Sequence, residues 1–252
     1  MNKLKQALKN DEVSLGAWVQ IPHPAVVEII ARNCDEKLDW ICIDMEHGSI
    51  GIESMTNLIR TIEKFDITPI VRIPKNDYIW IHRTLDAGAK GLIIPMIKNE
   101  KETREAILES KYPPEGKRSF GYSRSNFYGK NFNETIKKEN NDIAIIIQIE
   151  HIDAIVCLKE ILKIQGIDAT FIGPLDLEGS LNSIDEKDRR EMDFYLDIYM
   201  KDSISINVPT GFHIVQPNKQ LITDIKTKGY KMIAIGIDTF FLGSKVNEIF
   251  ES

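Results

Sequence analysis

Short apolar runs alternate with longer amphipathic segments from one end of the chain to the other. Most of these runs are continuous, whereas a half-exposed strand would alternate apolar and polar positions. Continuous runs are typical of parallel strands that are buried on both faces. We predict strands at Ser14–Val19, Trp40–Asp44, Thr68–Arg72, Gly91–Pro95, Ile143–Ile149, Ala169–Ile172, Gly211–Val215 and Met232–Ile235.

The segments between these strands repeat their apolar positions with helical spacing. Gly88, Gly166 and Gly229 each precede a predicted strand closely, where a helix should end, and glycine commonly closes helices. We predict helices at Ala25–Arg32, Ile52–Lys64, Tyr78–Ala87, Glu102–Ser110, Ile152–Ile161, Glu186–Asp202, Lys219–Lys228 and Thr239–Phe250.

Eight β–α repeats in 252 residues predict an α/β fold, a single-domain (β/α)₈ TIM barrel over residues 1–252. The competing architecture is a doubly wound open sheet, but its GxGxxG motif does not follow the first predicted strand. The segment Tyr112–Gly129 departs from the regular alternation and is rich in proline, glycine and aromatic residues. A loop of this length is usually functional or disordered, and its aromatic residues argue against disorder.

Composition and charge narrow the class of protein. Hydrophobic residues make up 42% of the chain and charged residues 28%, an ordinary globular balance. The net charge of −6, with lysines scattered among acids, argues against nucleic-acid binding. No apolar stretch has the length of a signal peptide or a membrane span, so we expect no membrane association and a cytoplasmic location. The three cysteines have no CxxC spacing, which predicts neither a disulfide framework nor a zinc site.

Ionisable residues follow several predicted strands, at the end of a barrel where active sites lie. Glu150 and Asp176 follow neighbouring strands, so their carboxylates can converge. Two carboxylates with open positions suit Mg²⁺ or Mn²⁺, and such an ion would stabilise the enolate of a 2-oxo acid. Arg72, at the end of the third strand, is placed to donate to the same keto oxygen. The alternative is a layer of salt bridges that caps the barrel.

His47 is the candidate general base, because imidazole titrates near neutral pH and Asp44 and Glu46 stand beside it. A Schiff-base mechanism would instead need a desolvated lysine inside the barrel. No predicted strand contains a lysine, which leaves Lys75 and Lys98, in loops beyond strands three and four, as the only rivals. The metal-dependent route is therefore preferred.

The segment Asp39–His47, DWICIDMEH, resembles the DW-x-x-ID-x-EH signature of the class II 2-oxo-acid (pyruvate-dependent) aldolases, in the hydroxyoxoheptanedioate aldolase and citrate lyase β superfamily. This segment is the first of seven ordered motifs that carry the resemblance from about Ser14 to Gly243. The others are VRIP at 71–74, LDAGA at 85–89, IPM at 94–96, YPPEG at 112–116, QIE at 148–150 and FIGPLDL at 171–177.

This resemblance implies a divalent-metal-dependent barrel that makes or breaks a carbon–carbon bond with pyruvate as the enolising partner. It also implies a homo-oligomer, a hexamer or trimer of dimers, in which C-terminal helices (about 239–252) are exchanged. The implied site has metal ligands Glu150 and Asp176, for Mg²⁺ or Mn²⁺ with Co²⁺ as an alternative, a base His47 paired with Asp86, a pyruvyl contact from Arg72, and donor-seating contacts from Gln148, Gly173 and Leu175.

The chain departs from the family pattern at Ser119, which replaces a usual glycine, and over Leu177–Ser180. The run Phe120–Gly129 resembles a branch found in polysaccharide-biosynthesis settings. We expect these departures to lie on the side of the site that takes the second substrate. The donor machinery is complete in the sequence.

The main hypothesis is reversible aldol cleavage of a 4-hydroxy-2-oxo acid to pyruvate and an aldehyde through a metal-bound enolate. The first alternative is a citrate-synthase-like or acyl-CoA lyase reaction, with Arg118, Arg124 and Lys130 contacting the phosphates of CoA. The second is a barrel kept as a binding or assembly subunit, which would not need the whole set of ionisable residues.

Overall fold

The computed structural model describes residues 2–35, 37–182, 184, 185, 187 and 189–250. Eight parallel strands form a closed barrel in sequence order, and β8 pairs with β1. This confirms the predicted TIM barrel and excludes the open sheet. The strands are β1 Ser14–Val19, β2 Trp40–Asp44, β3 Thr68–Arg72, β4 Gly91–Ile94, β5 Ala144–Ile149, β6 Ala169–Ile172, β7 Thr210–Ile214 and β8 Met232–Ile237.

Helices follow the strands and surround the barrel. They are α1 Lys3–Lys9, α2 Pro24–Asn33, α3 Ile52–Lys64, α4 Tyr78–Asp86, α5 Glu100–Ser110, α6 Phe132–Asp142, α7 Ile152–Val156, α8 Leu158–Leu162, α9 Pro174–Leu181, α10 Met192–Ile206, α11 Lys219–Thr227 and α12 Asp238–Phe250, with a 3₁₀ helix at Arg124–Gly129. Among the described residues, none of these helices is long and apolar enough to cross a membrane.

Most predicted helices are present, with three differences. The single helix predicted over Ile152–Ile161 is broken at Cys157 into α7 and α8. The helix predicted over Glu186–Asp202 begins at Met192 and extends to Ile206, and Glu186 itself lies outside the described residues. The third difference is that α1, α6, α9 and the 3₁₀ helix were not predicted.

Two glycines close helices as predicted. Gly88 and Gly229 follow the C-caps of α4 and α11 with φ of 102° and 95°, a conformation that L side chains rarely adopt. Gly166 also has a positive φ, of 104°, but it lies beyond the C-cap Lys163 of α8 and therefore belongs to the turn into β6.

The strands are buried on both faces because they separate two apolar regions. The larger region lies between the barrel and its helices. The smaller fills the barrel interior, and Leu4 and Leu8 of α1 belong to it. Helix α1 therefore closes the base of the barrel, the end at which the strands begin. Burying one such leucine side chain contributes about 2 kcal/mol.

The C-terminal helix α12 exposes several apolar side chains along its length: Phe241, Leu242, Val246, Ile249 and Phe250. Exposed apolar area of this kind is often an interaction site. Its exchange between subunits remains a prediction, and the last two residues of the segment predicted to exchange, 251 and 252, lie outside the described residues.

Candidate active site

Asp44 and Arg72 form the centre of the polar rim where the strands end. The Asp44 carboxylate is completely buried and accepts two hydrogen bonds from Arg72, from Nε at 2.9 Å and Nη2 at 2.7 Å. Gln20 Nε2 donates to the same carboxylate at 2.8 Å. Burial alone would raise the pKa of Asp44, but the hydrogen bonds and charge of Arg72 outweigh it and hold that pKa below its usual value. Asp44 is therefore a fixed anion that orients the guanidinium.

His47 lies above this pair, in the turn that follows β2. The backbone N–H groups of Glu46 and His47 both donate to Asp44 Oδ1, at 3.1 and 3.3 Å, so the carboxylate shapes the turn. The imidazole is 59% exposed, and its Nε2 is 3.9 Å from Glu46 Oε2. An accessible imidazole held beside acidic groups is suited to moving a proton at the rim.

The floor of the site is aromatic. The Arg72 guanidinium lies over the Trp18 ring, 5.1 Å from its centroid, and Trp18 stacks on His213 at 4.8 Å. His213 Nε2 lies 3.1 Å from the carbonyl oxygen of Gly236. Burial lowers the pKa of His213 to about 4, so this ring is neutral at pH 7. Trp18 and His213 thus support Arg72 without adding charge.

Glu150 is 2% exposed and is the most perturbed acid of the rim. Burial raises its pKa to about 7, the Met96 N–H opposes this effect, and the charges of Glu46 and Asp176 add to it. Met96 N–H donates to Glu150 Oε1 at 2.6 Å, and Gln148 Nε2 donates to Oε2. Gln148 Oε1 is buried and has no hydrogen-bond partner among the described residues.

Asp176 lies in the first turn of α9, where it is exposed. Gly173 is the N-cap of this helix, and the neighbouring Leu175 is 79% exposed. Burial raises the pKa of both Glu46 and Glu150, and the nearby charge of Asp176 adds to both increases. Glu46, Glu150 and Asp176 therefore influence one another electrostatically, and the charge of Arg72 opposes their repulsion.

This arrangement fits a hard divalent cation. Each Glu150 oxygen has one donor and keeps lone pairs free, the Gln148 oxygen lacks a partner, and the acids repel one another without added positive charge. No cluster of three or more His, Cys, Asp or Glu side chains with the geometry of a metal site occurs in the described part of the chain. Glu150 and Asp176 could serve as two protein ligands, with oxygen atoms of water and substrate completing the shell.

The absence of a side chain at Gly173 leaves room for the Glu150 side chain. A Cβ atom built at this glycine would lie 2.8 Å from both Cβ and Oε2 of Glu150 and 3.3 Å from Gln148 Nε2. We predict that Gly173→Ala lowers stability by about 1–3 kcal/mol and kcat/KM by roughly a hundredfold, because Glu150 must move. Urea unfolding and steady-state kinetics measure the two effects, with Gly179→Ala, which has open space around its Cβ, as the control. Unchanged kinetics in Gly173→Ala would contradict the prediction.

Asp86 is not beside His47 within one chain. Asp86 ends α4, five residues before β4 begins, and therefore lies at the base of the barrel, whereas His47 lies at the rim. Its carboxylate accepts a hydrogen bond from Arg118 Nη2 at 2.7 Å. The pairing implied by the resemblance is absent within the chain, and a contact between these residues would need a second copy.

The segment from Ser119 to Gly129 also lies at the base, because it connects a helix to the start of β5. The expectation that this run borders the second substrate is thus not met within one chain. The expected contact of Arg118 with CoA is wrong, and that of Arg124 stays a prediction. The Arg118 side chain is completely buried, and Arg124 pairs with Glu63 and donates to the carbonyl oxygen of Ala87 at 3.1 Å.

Sequence reasoning missed three contributors to the rim. They are the Gln20 side chain, the Trp18 ring and the backbone N–H of Met96. The polar residue directly after β1 was the available signal for Gln20. Nothing in the sequence signals the N–H of Met96, which has a φ of 55° in the segment that follows β4.

Comparison with known proteins places this chain in a family. The sequence profile of the HpcH/HpaI aldolase/citrate lyase family matches residues 14–243. The chain is 30% identical to a 4-hydroxy-2-oxovalerate aldolase of Novosphingobium aromaticivorans over 241 residues, which cover 95% of this chain and 90% of that protein.

Solved structures share the fold. A family member from Burkholderia cenocepacia J2315 has a TM-score of 0.90 at 24% identity and covers 100% of this chain and 98% of its own. The citrate synthase SbnG has a TM-score of 0.85 at 24% identity, with coverage of 100% and 97%. As the resemblance implied, the chain belongs to the HpcH/HpaI aldolase/citrate lyase family and is a carbon–carbon lyase.

Proposed function

We propose that this enzyme catalyses the reversible, divalent-metal-dependent aldol cleavage of a 4-hydroxy-2-oxo acid to pyruvate and an aldehyde. The observation that carries the proposal is the environment of Glu150. Its carboxylate is buried and is acted on by the charges of Asp176 and the Arg72 guanidinium. Membership in an aldolase family supports the reaction class.

Glu150 and Asp176 would hold the cation, which as a Lewis acid polarises the 2-oxo group of the substrate. Arg72 would assist the cation by donating hydrogen bonds to the substrate. Of its five N–H donors, two are used by Asp44 and one faces Glu46 Oε2 at 3.1 Å, which leaves two for a substrate oxygen. Arg72 would thus stabilise the charge that develops on the keto oxygen.

His47 would move the protons. In the cleavage direction it accepts the proton of the C4 hydroxyl, the C3–C4 bond breaks, and C4 leaves as the aldehyde. The bonding electrons remain on the three-carbon fragment as the enolate of pyruvate. Protonation of C3 then gives pyruvate, so atoms and charge balance. The exposed imidazole can reach a bound substrate, while the Asp44 carboxylate fixes its turn.

The direct test is pyruvate release from 4-hydroxy-2-oxopentanoate and 4-hydroxy-2-oxoheptanedioate with added Mg²⁺, Mn²⁺ or Co²⁺. Glu150→Ala combined with Asp176→Ala should abolish release, and the matched control Glu178→Ala, an exposed acid on the same helix, should not. Activity that survives exhaustive chelation or the double substitution would refute the metal-dependent mechanism. Citrate formed from oxaloacetate and acetyl-CoA, without any pyruvate release, would support the alternative reaction instead.

The raised pKa of Glu150 leads to a prediction for the metal-free protein. An acid whose pKa is raised by folding, here from 4.5 to about 7, stabilises the fold below pH 4.5, and this contribution is lost as the pH rises through 7. The loss is at most about 1.4 kcal/mol per pH unit within this window. Because a cation binds the ionised form, Mn²⁺ should raise the melting temperature more at pH 8 than at pH 5.5.

Thermal unfolding at the two pH values, with and without Mn²⁺, measures this effect. The charges of Glu46, Asp176 and Arg72 act on the same carboxylate, so the relevant quantity is the difference between the wild type and Glu150→Gln. Equal Mn²⁺ shifts at both pH values would show that the cation does not compete with a proton at Glu150.

A further inference from the structure

A cavity of about 460 Å³ lies at the base of the barrel, at the opposite end from the candidate active site. It is bounded by α1, by the residues that lead into β6, by the end of α10 and by the start of β7. Its size is within the range of small-molecule pockets, roughly 300–1,000 Å³. Much of its wall is apolar, from Leu8, Ile167, Ile204, Val208 and Pro209.

Three lysines and two acids also line this cavity. Lys5 pairs with Asp168 at 3.1 Å, and Lys231 pairs with Asp11 at 2.9 Å. Lys9, the last residue of α1, is exposed and has no ion pair within the described residues. Since two of the three positive charges are balanced, the lining carries one uncompensated positive charge and suits a ligand with a single negative charge.

Ser203 provides an independent indication of a ligand. Its side chain is completely buried, it lines the cavity, and its Oγ has no hydrogen-bond partner among the described residues. A serine inside a helix usually donates to the carbonyl oxygen four residues earlier or contacts water. A buried hydroxyl without a partner costs free energy. An acceptor atom in the cavity would remove this cost.

We propose that this cavity binds a small monocarboxylate with an apolar body, such as a branched-chain or arylacetic acid. The Lys9 ammonium would donate to the carboxylate, and Ser203 Oγ, which has no accessible surface in the structure, would donate to it once the side chain turns toward the cavity. The body would contact Leu8, Ile204 and Val208. Inorganic phosphate fits less well, because it carries more than one negative charge at pH 7 and leaves the apolar wall without a contact.

The test uses 4-fluorophenylacetate as the probe, followed by ¹⁹F NMR titration of the full-length protein. Saturating pyruvate and Mg²⁺ are present, so that any carboxylate site at the other end of the barrel is occupied. The neutral 4-fluorophenylacetamide is the matched ligand control. The protein control is Lys226→Gln, an exposed lysine of α11 that does not line the cavity.

We expect Lys9→Gln to raise the dissociation constant of the acid about threefold and Ser203→Ala to raise it about fivefold. Lys226→Gln should leave this constant unchanged. Ser203→Ala should bind less tightly without a loss of thermal stability, because it removes a hydroxyl that lacks a partner. This separates a lost ligand contact from a damaged fold. The proposal is overturned if the acid does not bind at 10 mM (roughly the weak limit of pocket affinities), if the amide binds equally well, or if neither cavity variant weakens binding.

Discussion

Glu150→Gln should lower kcat/KM for pyruvate release by on the order of a thousandfold. Glutamine keeps the volume of the side chain and an oxygen for the Met96 N–H, but it removes the charge that a divalent cation needs. Steady-state kinetics at saturating Mn²⁺ measure the loss. Calorimetric titration should show that Mn²⁺ binding is lost in parallel.

The stability of the same variant separates a catalytic role from a structural one. In the metal-free protein at pH 8, Glu150 is a buried anion among other acids, so its neutralisation should leave the melting temperature unchanged or higher. A variant that loses activity only because it unfolds would have a lower melting temperature than the wild type. Near-wild-type kcat/KM in Glu150→Gln would remove the carboxylate from the mechanism.

Arg72→Met should destabilise the protein by about 3–5 kcal/mol and abolish activity. The Asp44 carboxylate has no exposed surface and loses its bidentate partner, so a buried negative charge is left without compensation. Methionine preserves contact with the Trp18 ring, which confines the change to charge and hydrogen bonding. Urea unfolding at pH 7 measures the free energy of unfolding.

The double variant Arg72→Met with Asp44→Asn is the informative control. Removal of the stranded charge should restore much of the lost stability, while activity stays absent because no guanidinium faces the substrate. Equal destabilisation in the single and double variants would mean that Arg72 acts through packing. Recovery of activity in the double variant would exclude a role for Arg72 in catalysis.

The barrel strands were predictable because burial on both faces demands continuous apolar sequence. The helices that escaped prediction lack a strong pattern. Helix α6 reads FNETIKKENND and has only two apolar residues, while α1 is seven residues long and packs into the barrel base through Leu4 and Leu8. In such elements the tertiary environment, rather than periodicity, fixes the conformation.

The rim was predictable for a geometric reason, since residues after parallel strands meet at one end of a barrel. This brought Asp44, Arg72 and Glu150 together. The same argument does not predict contacts between distant parts of the chain, such as that of Gln20 with Asp44. Nor does it predict the burial of the Lys5 side chain, whose Nζ donates to the carbonyl oxygen of Ile143 at 2.5 Å. The roles of the predicted site residues remain predictions.

Asp238, the first residue of α12, joins parts of the candidate site that are distant in the sequence. Its buried carboxylate accepts hydrogen bonds from the backbone N–H groups of Gln20 and Ile21, at 2.9 and 2.8 Å and across 218 and 217 positions of sequence. Gln20 in turn holds Asp44. Because its partners are so far apart in the sequence, this set of contacts forms only when the segments around residues 20 and 238 have both folded, so a chain truncated before Asp238 would lack the support that Gln20 gives to Asp44.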